Sequence, residues 1–201
     1  MVVGAGVLLC LSSRAVAQSH MTPERVTKDL AGESIEIPNT RSPDGKLALF
    51  SVYLDGTTAA VAGLVTTDRQ RCLAVSSSLP YGSNVRDRSP KSYLAVLWST
   101  NSTRVAIHDS ARKHSRVEVY ALDPSTCRQV QLPDLFALMV AQGLVTETAK
   151  SSGEEPLQWL DDDHLLGEFR AKTETGVMVT RRLTLDLEKG TANHTPEDIR
   201  R

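Results

Sequence analysis

Aromatic residues are scarce in this chain: three Phe, four Tyr and two Trp in 201 residues. That argues against the stacking platforms that hold single-stranded nucleic acid or sugars. An excess of one charge is also missing. Lys and Arg number 23 against 24 Asp and Glu, a formal net charge of -1, so no bulk field supports nucleic-acid binding. Cysteine is confined to Cys10, Cys72 and Cys127. No C-x-x-C or His-rich spacing accompanies them, which argues against a zinc site. No apolar run reaches the roughly 20 residues of a membrane-spanning helix. The G-x-S-x-G and H-E-x-x-H signatures of two large hydrolase classes are absent too. No cofactor or metal is expected.

What is present begins with an export pattern. Val2 to Leu11 is an apolar run of secretory length, and Ala15-Val16-Ala17 follows as a small-x-small cleavage site. The expectation is a signal peptide over residues 1–17 and a secreted or periplasmic product that starts at Gln18. No Lys or Arg precedes the apolar run, a departure from the usual pattern. Cys10 follows Leu9 rather than a small residue, which argues against lipidation. A buried N-terminal strand is the alternative. After cleavage, Cys72 and Cys127 would be the two remaining cysteines.

Residues 18–40 read as a polar tail or a loose strand around Ser34 to Pro38. Residues 41–201 read as a single all-β domain of short strands with turn signals between them. Leu47 to Leu54 is apolar on both alternating faces, so both should be covered. Val117, Val119 and Ala121 alternate with Glu118, Tyr120 and Leu122, a strand with one drier face. Asp134 can cap a short helix over 135–144, with Leu135, Leu138 and Met139 on one side. The stretch from Ser151 to Pro156 reads as a loop. A last hairpin turns around Thr175-Gly176.

Two landmarks recur. Ser42-Pro43-Asp44-Gly45, Ser99-Thr100-Asn101-Ser102 and Leu160-Asp161-Asp162-Asp163 each separate apolar runs, and Trp98 and Trp159 stand just before two of these turns. Asp68 to Cys72, Asp123 to Cys127 and Asp186 to Gly190 share a second pattern: Asp, three residues, then Cys or Gly. Both landmarks return at about 60 residues, the mark of an internal repeat.

The middle copy resembles the blades of TolB-type, WD40-like β-propellers. Trp98, Ser99, Val105, Ala106, Ile107, Val119, Tyr120 and Asp123 carry the likeness, with Asn101-Ser102 in place of Asp-Gly. The first copy supplies Ser42-Pro43-Asp44-Gly45, and Trp159 and Asp186 mark a weaker third. The likeness spans roughly residues 41–190. It implies three antiparallel β-meander repeats, too few for a standard closed ring. Three arrangements stay open: a propeller-like array, a β-sandwich, or a protomer whose oligomer completes the sheet array. The helix after Pro133 is a candidate cover for an exposed sheet edge.

The resemblance implies a recognition surface rather than an enzyme. The expected function is an exported, non-enzymatic binding or scaffolding module. Its partner would be a protein or other envelope macromolecule, with no nucleic acid and no membrane insertion after cleavage. The competing reading is a hydrolase, or its accessory domain, with a site in the repeat funnel. Arg112 to Arg116 is the densest basic cluster, at a hairpin tip that could meet an anionic ligand through Arg112, Lys113 and His114. His108-Asp109 is the most enzyme-like dipeptide, but neighbours on a strand point to opposite faces. Asp161 to His164 reads as a solvated turn rather than a cation site. Asn101 and Asn193 fit the N-glycosylation pattern, and Asn101 is better read as a turn residue. For Cys72 and Cys127 two arguments compete. Equivalent positions of neighbouring blades lie apart, whereas an oxidising compartment favours pairing. The compartment argument is the more general, so a Cys72–Cys127 disulfide is expected.

Overall fold

The computed structural model describes residues 21–32, 34–53, 60–76, 94–109, 115–123 and 126–194. Strands dominate, in three four-stranded antiparallel sheets, each a simple up-and-down meander. The first holds β1 (Ser34–Glu36), β2 (Leu47–Tyr53), β3 (Ala60–Thr66) and β4 (Cys72–Val75). The second holds β5 (Leu94–Trp98), β6 (Arg104–Asp109), β7 (Arg116–Leu122) and β8 (Cys127–Val130). The third holds β9 (Lys150–Trp159), β10 (His164–Lys172), β11 (Met178–Asp186) and β12 (Thr191–His194). The all-β repeat architecture read from the sequence is therefore the observed one. Among the described residues, no helix is long and apolar enough to cross a membrane.

The repeat turns match atom for atom in the first two sheets. The Ser42 hydroxyl donates to Asp44 at 2.6 Å, and the Ser99 hydroxyl donates to Asn101 at 2.9 Å. Each serine oxygen then accepts from the main chain five residues on, Leu47 and Arg104. Gly45 and Ser102 both sit at positive φ, 72° and 62°. Asn101-Ser102 thus builds the turn that Asp44-Gly45 builds, at the cost of a left-handed serine.

The sheets pack face to face in chain order. Leu49, Ala62, Leu64 and Ala74 of the first meet Val105, Ile107, Tyr120 and Leu122 of the second. Ala106, Val119 and Ala121 on the other face of the second meet Leu165, Phe169, Ala171, Leu183 and Leu185 of the third. Among the described residues no apolar cluster joins the first sheet to the third, so the array is open. The five central residues of β2 are all buried, as its two-sided apolar pattern requires.

Two regions depart from the sequence reading. Within 18–40 the strand expected around Ser34 is present as β1, but an unexpected helix, α1 (Pro23–Asp29), precedes it. The Thr22 side chain caps α1, Pro23 opens it, and Glu24 and Lys28 suit its ends. Val26 and Leu30 seal the outward apolar face of the first sheet against Ala48, Phe50 and Val52. Each such side chain contributes about 1.5–3 kcal/mol by leaving water. Residues Ser151 to Pro156, read as a loop, lie inside the ten-residue β9. Two of them are held in place, because Arg170 reaches Glu155 at 2.6 Å and the Ser115 carbonyl accepts from Glu154 N–H. The other helix, α2 (Leu135–Ala141), is capped by Asp134 as its sequence indicates. It ends earlier than residue 144 because Gly143 turns left-handed, with φ 66°. Leu135 and Met139 enter the core between the second and third sheets.

Candidate functional site

One cleft of about 540 Å³ opens where the second sheet meets the third. Ser115, Arg116, Val117 and Glu118 form one wall, Gln129, Val130, Gln131 and Leu132 a second, and Glu154 of β9 a third. The first wall leads into β7. The second is the free edge of the second sheet and runs past its last ladder pair, Val119 with Val130.

Glu118 is the unexpected residue. Its alternation with Val117 and Val119 suggests a wetter face, yet it is 2% exposed. The face is dry because the first sheet lies on it. A buried carboxylate needs partners. Ser76 donates to Glu118 at 2.8 Å and the Tyr120 hydroxyl donates at 3.0 Å, while Arg116 stands 4.0 Å away. Burial and the Glu118 charge push the Tyr120 hydroxyl well above its ordinary range, so it stays a donor.

Glu154 is less well served. Its carboxylate accepts from the Val117 N–H at 3.4 Å, a long contact. Burial raises its pKa above the usual carboxylate range, and Asp134 adds to the rise while Arg116 opposes it.

Beside the cleft, His108 Nε2 lies 2.6 Å from the Ser115 hydroxyl. A serine this close to an imidazole could be a nucleophile and its base. The surroundings point elsewhere. The Ser115 hydroxyl donates its one proton to the Glu154 carbonyl. His108 Nε2 must then donate to Ser115 and cannot take its proton. Burial lowers the His108 pKa and favours the neutral ring, although Glu155 and Asp109 work in the other direction. Glu154 N–H donates back to the Ser115 carbonyl at 3.2 Å, and a Cβ on Gly153 would come within 2.8 Å of the Ser115 Cβ. His108, Ser115 and β9 form a clamp between two sheets.

The sequence candidates fare differently. Arg112, Lys113 and His114 lie outside the described residues, immediately before Ser115. The carboxylates of Asp161, Asp162 and Asp163 are each engaged: Asp161 accepts from the Asp163 and His164 main chain, Asp162 from Asn101, and Asp163 from Arg104. Asp162 and Asp163 tie the third repeat turn to the second, and Asp161 closes its own turn. Asn101 is a turn residue. The Cys72–Cys127 disulfide is not formed; both are free thiols. Cys72 packs in the cluster under α1, whereas Cys127 packs on the cluster between the first and second sheets, so the thiols serve opposite faces of the first sheet. Burial pushes Cys72 up to about 12 and Cys127 up to about 11.

Ser115 and Arg116, which closed the basic cluster read from the sequence, line the cleft, whereas sequence reasoning missed Glu118, Glu154, Gln129 and Gln131. One signal was present: Glu118, a charge inside an otherwise apolar strand.

No protein-family model matches this chain, and no curated protein matches it. Among solved structures it is similar to the apo AtxE2 isopeptidase, with 17% identity and a TM-score of 0.45. The match covers 81% of this chain and 30% of that one, so the chain spans less than a third of its structural neighbour.

Proposed function

We propose that this chain is an exported, non-enzymatic binding module of propeller-like repeats, and that the cleft beside β8 is its ligand surface. The observation that carries the reading is the composition of the cleft: charged and amide residues from two sheets line it beside β8, an edge strand among the described residues. Such an edge accepts an extended segment of another protein by strand addition. The export signal at residues 1–17 would bring the module to envelope macromolecules. The described end faces of the array fit a binding module of this kind. The outward face of the first sheet is covered by α1. On the third, Arg170 pairs with Glu155 and Glu168 at 2.6 and 2.8 Å. Repeat arrays end on polar or covered faces of this kind.

A photo-crosslinking residue at Gln131 tests the reading in cells that export the protein. A covalent adduct at Gln131, with none at Arg182 of the third sheet, is expected. Equal capture at both positions, or none at Gln131, would count against it. The hydrolase reading has one observation in its favour, the 2.6 Å contact of His108 with Ser115. The clamp geometry implies that a fluorophosphonate probe leaves Ser115 unlabelled in the folded protein. Labelling at Ser115 that Ser115→Ala abolishes would establish a nucleophile instead.

A further inference from the structure

We infer that the cleft takes a lysine side chain borne on an extended peptide segment, with the ammonium set against Glu154. The inference rests on the cleft being a binding surface and names what it binds.

Charge supplies the first argument. Arg116 stands 4.0 Å from Glu118, whose carboxylate is held on the first-sheet side by Ser76 and Tyr120. Glu154 remains, and Asp134 adds a second negative charge close enough to disturb it. Among the described residues that line the cleft, Arg116, Glu118 and Glu154 leave the sum negative. The second argument is hydrogen bonding. The Glu154 carboxylate accepts from Val117 N–H at 3.4 Å, which leaves most of its acceptor capacity unused at the cleft wall. An ammonium brings three donors to such a carboxylate and removes the disfavoured isolated charge. The third is shape. Four consecutive residues, Gln129 to Leu132, form one wall, and the last two lie beyond the final ladder pair. An extended segment laid along that wall would place alternate side chains toward the cleft floor. The carboxamides of Gln129 and Gln131 would contact its polar groups.

The test uses the isotope-labelled full chain and two blocked pentapeptides of alternating threonine and valine, one with a central lysine and one with a central norleucine. The lysine peptide is expected to shift the amide resonances of 115–118 and 129–132. Its affinity should exceed that of the norleucine peptide by about tenfold or more, and Glu154→Gln should erase that difference. Equal affinities for the two peptides would overturn the inference and leave the cleft a peptide surface. No shift at the cleft from either peptide would overturn the inference and count against the cleft as a ligand surface. The comparison of peptides on the unaltered chain stands whether or not Glu154→Gln folds.

Discussion

Trp98 and Trp159 do the same work one sheet apart. The Trp98 indole donates to the Thr40 carbonyl at 3.0 Å, and the Trp159 indole donates to the Leu97 carbonyl at 2.9 Å. Thr40 precedes the first repeat turn as Leu97 precedes the second. Each tryptophan therefore ties its own sheet to the same point of the sheet before it. Arg41 holds the corresponding position in the first sheet, and it pairs with Glu36 instead. Both rings are only partly buried, so burial contributes less than in a deep core and the bond is a larger share of what each ring supplies. Trp98→Phe and Trp159→Phe should each cost about 1 kcal/mol in urea unfolding, the net worth of one such bond. A cost near zero for both would mean the indole bonds do not hold the sheets.

Asp186 sets a pH dependence. It accepts from the Lys189 main chain at 3.0 Å and from Lys189 Nζ at 2.7 Å, with His164 Nε2 at 3.6 Å. These contacts, the Lys189 side chain first, lower its pKa to about 2. An unfolded aspartate titrates near about 3.9. Between those values the unfolded chain binds the proton and the folded chain does not, so acid favours unfolding. The stabilisation is complete above about pH 4 and fades toward pH 2. Asp186→Asn should flatten the fall of melting temperature across that window. An unchanged slope would show that Asp186 contributes nothing to it.

The strands and repeat turns were legible because each follows from local chemistry. Ser99 and Asn101 can close a turn by themselves, and the alternation in β10 separates Leu165, Phe169 and Ala171 from their polar neighbours without help from another sheet. Helix α1 was not legible. It has seven residues, and of these only Val26 is buried, too little for a periodic signal. Strand β9 was hidden by its polar start, which becomes a strand only through partners supplied by Arg170 and Ser115. The cleft was hidden for the same reason, since Gln131 and Glu154 come to line one cleft only after the second and third sheets have packed. Gly153 is the point where β9 makes that meeting possible. Gly153→Ala would force its new Cβ to 2.8 Å from Ser115 Cβ. The crowding should cost about 1–3 kcal/mol. In a double-mutant cycle with Ser115→Gly, which removes the opposing carbon, the two changes should couple by more than about 0.5 kcal/mol. Additive costs would mean that β9 tolerates the methyl by moving elsewhere.

Among the described residues, the second sheet alone has another sheet on each face, and this governs how disturbance travels. The apolar clusters of the described residues join neighbours in the order α1, first, second, third. In such a linear array, stability is a sum of local units and nearest-neighbour interfaces. The ends can then open without the middle. Val26 is fully buried against the outward face of the first sheet. Val26→Asp places an unpaired charge there and should detach α1. Amide exchange in β2 and β3 should then quicken by about tenfold or more, whereas β10 and β11 should keep their rates. The third sheet meets the second through Phe169, Leu183 and Leu185, none of which touches the disturbed face. If exchange quickens equally in all three sheets, the chain unfolds as one cooperative body and the end-to-end independence of the array is wrong. If it quickens in the first sheet alone, α1 is the cover that lets an open array of three sheets end in water.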